Sequence, residues 1–127
     1  MSRAVTFTLA VLAAIAVASP ASAQSGIAVN ADLAKRGKQL FTQRGCNACH
    51  AIGKKLAGPD LAGVTARRDV EWLRRWLKTT DQMLESDSIA KAMLAEFQNV
   101  RMPNLKLSDA EIDALLNYLQ QESDKRK

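Results

Sequence analysis

One histidine and two cysteines are all that 127 residues offer as imidazole or thiol. A zinc site of the usual four Cys/His ligands is therefore excluded within one chain, and so is a scaffold held by several disulfides. Glycine (6) and proline (3) are too scarce for a collagen-like or low-complexity chain, and 47% apolar residues argue against disorder. No segment carries the alternation of a half-buried strand, and there are no internal repeats and no second domain. What remains is one small, mildly basic domain, with 18 Lys plus Arg against 13 Asp plus Glu.

The only long apolar run lies at the start. Arg3 supplies a positive n-region, Ala4 to Ala18 is almost unbroken apolar sequence, and Ala21-Ser22-Ala23 is a small-x-small triplet. This is the pattern of a secretory signal cleaved after Ala23, and the run is short for a membrane span of about 20 residues. Residues 1–23 are thus expected to be removed and the protein to be periplasmic. Residues 24–30 read as a loose leader, 31–121 as the folded domain and 122–127 as a charged tail. A chain of about 100 residues folds alone but buries only a modest core.

Within the domain, Asn30 is placed to cap a helix that ends near Gly45, with Leu33, Gly37, Leu40 and Phe41 on one face. Cys46 to Thr65 holds Gly53, Gly58, Pro59 and Gly63 and reads as loop, with a turn of helix after Cys46. Asp69 looks like the cap of a helix through Lys78, with Val70, Leu73 and Leu77 on one side and Trp72 and Trp76 four apart. Ser86 or Asp87 opens another helix, whose apolar stripe is Ile89, Met93, Leu94 and Phe97. Asn99 to Leu107 is loop. Ser108-Asp109-Ala110-Glu111 is a capping box for a last helix with Ile112, Leu115, Leu116 and Leu119 inward.

Cys46-Asn47-Ala48-Cys49-His50 is the sharp motif. C-x-x-C-H lets two thiols bond the vinyl groups of a haem while the adjoining imidazole meets the iron. A thioredoxin-like pair would need strands, which are not visible here. A disulfide between Cys46 and Cys49 would close only a tiny loop and leave His50 unexplained. The expected cofactor is one covalent haem c.

From Asp32 to Gln120 the chain resembles the class I c-type cytochromes. The resemblance rests on four features in the family's order: Gly37 and Phe41 in a first helix, Cys46 to His50, Gly58-Pro59-Asp60-Leu61, and Met102-Pro103-Asn104-Leu105 before a terminal helix. It implies an all-α, cytochrome c-like fold of about four helices and loops around one haem. In such a fold the Pro59 carbonyl would accept the His50 Nδ1–H, and Leu61 would pack on the haem face. Gly37 and Phe41 would cross the last helix at Leu115 and Tyr118. The family's sixth ligand is a methionine in an irregular segment before proline, which matches Met102. Met93, on a helical face with Ile89 and Phe97, reads as core, and Met83, between Asp81 and Glu85, lies in a polar connection.

Two readings of Trp72 and Trp76 stay open. One of them donates its indole N–H to a haem propionate with Arg67 or Arg68 neutralising the charge, or one Trp is core, the other surface, and the arginines are solvated. Segment 70–99 has no assigned role. Arg44, Lys54, Lys55, Arg101 and Lys106 flank the two ligand segments and would form a positive rim toward an acidic redox partner. The implied function is an exported one-electron carrier, monomeric or in transient complexes, with no nucleic acid and no span in the mature chain. The alternatives are a haem subunit of a larger oxidoreductase, or an open-site haem protein for gas sensing or peroxide chemistry.

Overall fold

The structure is a computed structural model and describes residues 26–126. The expected signal peptide and its cleavage site lie outside the described residues, as do the first part of the leader and Lys127. The helices are α1 (Ala31–Gln43), α2 (Val64–Arg67), α3 (Val70–Lys78), α4 (Thr80–Ser86), α5 (Ser88–Glu96) and α6 (Asp109–Asp124), with a 3-10 turn at Cys46–Ala48. No strand occurs among the described residues.

The caps are where the side-chain chemistry places them. Asn30 Oδ1 accepts from the backbone N–H of Asp32 and Leu33, and Asp69 and Asp87 do the same for Trp72 and Ala90. Both halves of the capping box form, with Ser108 Oγ bound to the Glu111 N–H and Glu111 Oε2 to the Ser108 N–H. The leader is less loose than expected at its end. Ile27 packs on the core, and the Asn30 N–H donates to Asn117 Oδ1 at 2.8 Å. The last helix runs into the segment read as a charged tail, to Asp124, because Ser123 is buried and bonded to Thr65 of α2 at 3.1 Å.

α1 crosses α6 in the most extensive contact between elements. A Cβ on Gly37 would lie 1.9 Å from the Ala114 carbonyl oxygen and 2.8 Å from Tyr118 Cβ, so only glycine permits this approach. Phe41 and Tyr118 rings fill the space beside it, 5.6 Å apart and tilted by 58°. The expected crossing is therefore present, with Ala114 rather than Leu115 at the closest point.

Three features depart from the sequence reading. α2 (Val64–Arg67) begins inside the stretch ending at Thr65 that was read as loop. Residues 80–86 form α4, and Met83 is not in an exposed connection but 4% exposed in the core beside Leu84. On α5 it is Ala90 that is fully buried, whereas Ile89 is exposed and Met93, Leu94 and Phe97 are half-buried. α5 closes with the Asn99 N–H on the Leu94 carbonyl and the Gln98 N–H on that of Ala95. Both residues are left-handed, at φ 61° and 55°.

Candidate haem site

Between these elements lies a cavity of about 400 Å³. The motif forms one part of its wall. The 3-10 turn puts the His50 N–H on the Cys46 carbonyl at 2.9 Å, so residues 46, 49 and 50 follow one another around a single turn. Cys46 is half-buried, Cys49 is exposed, and both thiols are free. Burial pushes the Cys46 thiol up from its ordinary value, against the pull of a backbone hydrogen bond and of Arg44. That is the reverse of a thiol activated for disulfide exchange.

His50 is held from two directions. Its Nδ1 lies 3.0 Å from the Pro59 carbonyl oxygen, which can only accept, so the Nδ1–H donates there and Nε2 is the nitrogen left to meet a metal. Gly58 lies flat against the ring, since a Cβ there would stand 2.5 Å from His50 Cε1 and 2.8 Å from Nδ1. The loop that delivers these contacts is itself tied. Asp60 Oδ1 accepts from the Gly53 N–H at 2.6 Å and the Ala62 N–H at 2.8 Å, and these bonds hold its carboxyl below the usual range. Arg67 donates to the carbonyls of Asp60 and Ala62.

The rest of the wall is mostly apolar, with Arg44, Lys55, Asp60, Arg67, Arg68, Glu96 and Arg101 also on it. Its apolar part takes Phe41 from α1, Leu61 from the loop, Trp72 and Trp76 from α3, Met93 and Leu94 from α5, Phe97, Val100 and Met102 from the segment after it, and Leu115, Leu116 and Leu119 from α6. Every residue the sequence singled out for the site therefore lines one cavity: Cys46, Cys49, His50, Pro59, Leu61 and Met102. Met93, read as core, lines it too, whereas Met83 does not. A wider groove of about 700 Å³ between α3 and the start of α6 holds none of the motif residues. Among the described residues no cluster of His, Cys, Asp and Glu could hold a bare metal ion. Two thiols and an imidazole with a free Nε2, beside a large apolar cavity, match a macrocycle carrying its own metal.

A family model of cytochrome c matches residues 34–123. The chain belongs to the class I c-type cytochromes. Its cofactor is one covalently bound haem c, and it is a haem-based electron carrier by family. Cytochrome c-551 of Azotobacter vinelandii is 30% identical over 87 residues, 65% of this chain and 93% of that protein. A cytochrome c from Rhodothermus marinus superposes with a TM-score of 0.73 at 30% identity, covering 77% of this chain and 83% of that one. An engineered form of the Rhodothermus protein bound to a carbene intermediate gives 0.69 at 30% identity, over 78% and 84%.

The two tryptophans of this cytochrome stack, with ring centroids 5.6 Å apart and planes 7° from parallel. The Trp72 indole N–H donates to Asp87 Oδ2 at 3.2 Å, so α5's cap residue accepts the hydrogen bond that one reading assigned to a haem propionate. Arg68 lies 5.9 Å from the Trp72 ring, and Arg67 is committed to backbone carbonyls. Of the five rim cations, Arg44 pairs with Glu111, Lys55 with Glu96 at 3.3 Å and Arg101 with Glu85 at 2.7 Å. Lys54 and Lys106 form no ion pair among the described residues. These pairings link elements far apart in sequence, and nothing in local composition signals them. Asp60 was within reach of sequence reading, because an Asp after proline in a glycine-rich loop commonly binds the backbone two residues on.

Proposed function

We propose that the chain is an exported one-electron carrier whose haem iron takes His50 and Met102 as axial ligands. When bound, the haem supplies a one-electron Fe(II)/Fe(III) couple. Cys46 and Cys49 anchor it as thioethers. His50 presents Nε2, with Pro59 and Gly58 fixing the ring, and Leu61 packs beside it. Met102 supplies a thioether, which closes the sixth position and raises the potential, and the apolar wall keeps water from the iron. A closed iron needs little rearrangement on electron transfer, and no residue here is needed as a general acid or base.

The observation that carries this reading is that His50, its Nδ1 engaged by the Pro59 carbonyl, and Met102 line one apolar cavity. Met102 is favoured over Met93 because it sits in irregular backbone before Pro103, where helix register does not dictate its direction. Export is supported by Arg3, the apolar run to Ala18 and the triplet ending at Ala23. Among the described residues no helix is long and apolar enough to cross a membrane. The partners are redox proteins. An acidic docking surface on them is supported only by Lys54 and Lys106, since the other three rim cations are already paired.

The ligand assignment is tested by the ferric absorption spectrum of the purified holoprotein. The Met102→Ala variant is expected to lose the thioether-to-iron charge-transfer band, and Met93→Ala to keep it. The opposite pattern would transfer the ligand to Met93.

A further inference from the structure

Segment 70–99 contains α4, which the polar sequence around Met83 concealed. Asp81 and Glu85 are four residues apart on α4 and so share a face. Asn104 Nδ2 donates to Asp81 Oδ1 at 2.7 Å, and Arg101 Nη2 donates to Glu85 Oε1 at 2.7 Å. The two loop residues bracket Met102-Pro103. Asn104 also turns its Oδ1 to the Lys106 N–H at 3.0 Å, holding Lys106 in a left-handed conformation at φ 52°.

α4 is itself well seated. Met83 and Leu84 are each 4% exposed in the core, and the buried Thr80 hydroxyl donates to the Trp76 carbonyl at 2.6 Å. The helix is therefore a fixed support, and the Met102 segment, with no regular hydrogen bonding of its own, is tied to it on both sides of the methionine. We propose that α4 is a clamp on the Met102 segment, with Asp81 and Glu85 as positioning residues that keep the sixth coordination position closed. This rests on Met102 being the ligand. Each contact is worth little at an exposed surface, and the two add in holding the segment against local opening, so the loss of either loosens it and the loss of both loosens it more.

The test uses ferric holoprotein and imidazole as an external ligand, followed by loss of the thioether band. Asp81→Ala/Glu85→Ala is expected to bind imidazole roughly tenfold more tightly than wild type, as expected for losing one charged hydrogen bond and a weak pair. In the Met102→Ala background, where the position is already open, the same pair of substitutions is expected to leave imidazole affinity unchanged. Asn104→Ala removes the Asp81 contact from the loop side without touching α4, and is expected to shift affinity in the same direction. Wild-type affinity in the α4 variant and in Asn104→Ala would overturn the clamp, and so would an equal gain in the Met102→Ala background, which would mean general loosening. A wild-type ferric spectrum lacking the band would overturn the ligand assignment and the clamp together, whereas a present band with unaltered imidazole binding overturns the clamp alone.

Discussion

At position 58 the chain has room for the His50 imidazole and for no side chain. An alanine Cβ would sit 2.5 Å from the ring, and backbone on both sides is tied, with the Gly58 N–H on the Cys49 carbonyl at 2.8 Å. Gly58→Ala must therefore push the ring off its bond to Pro59. Overpacking of this kind costs about 2 kcal/mol. With His50 as the proposed iron ligand, the expected outcome is a lowered guanidinium midpoint together with a partly high-spin ferric spectrum. A variant with wild-type stability and spectrum would show that Gly58 does not set the ring. The same scale explains what could be read early and what could not. Cys46, Cys49 and His50 are adjacent, so their chemistry is visible as a string. The Trp72 indole meets Asp87 across fifteen positions, and only folding brings them together.

Among the elements, the start of α6 was legible to the residue because it is written in local chemistry, while its end ran three residues past the expected boundary at 121. Glu111 closes the capping box and also receives Arg44 from the chain just before the haem motif, so one carboxylate joins helix start and cofactor loop. The Arg44 hydrogen bond, helped by the Ser108 N–H, brings the Glu111 carboxyl from 4.5 to about 2. Because the folded value is depressed, the stabilisation is present above about 4.5 and is lost as pH falls toward 2. Denaturation midpoints of the holoprotein should fall through that window in wild type and fall less in Glu111→Gln. Parallel curves would mean that the Arg44–Glu111 link contributes nothing to the fold. α4 shows the other side of legibility. Thr80, Met83 and Leu84 hold i, i+3, i+4 spacing, but a threonine on the inward face and acids at 81 and 85 break the apolar signal. Thr80 is nevertheless 1% exposed, its hydroxyl satisfied by the preceding turn. On α5 the apolar stripe read from the sequence holds at Met93, Leu94 and Phe97 and fails at Ile89, whose place inward is taken by Ala90. Met93 and Leu94 line the cavity while also packing on the core, whereas Ile89 is exposed, and sequence periodicity does not distinguish a wall built for a cofactor from one built for side chains.

For the whole molecule the cavity sets the energetics. Its mostly apolar wall draws on α1, α3, α5 and α6, and without an occupant those side chains would face water in place of packing partners. The haem is thus part of the core, which is how a chain this short closes a fold around α1 and α6. Cys46→Ala/Cys49→Ala, expressed with export and purified without haem, is expected to show no cooperative thermal transition. A monomeric haem-free chain with a sharp transition would contradict that. The family, the all-α fold and the haem were legible from the order of four short motifs. The clamp on the Met102 segment and the pairing of the rim cations were not, since both depend on contacts between distant elements.

The central claim is a closed six-coordinate iron serving electron transfer. It is tested most directly by adding carbon monoxide to the dithionite-reduced wild-type protein at neutral pH and recording the visible spectrum. An unchanged, sharp low-spin spectrum is expected. A clear shift to a carbonyl adduct would contradict it, leaving an open or labile sixth position suited to ligand binding rather than to carrying electrons.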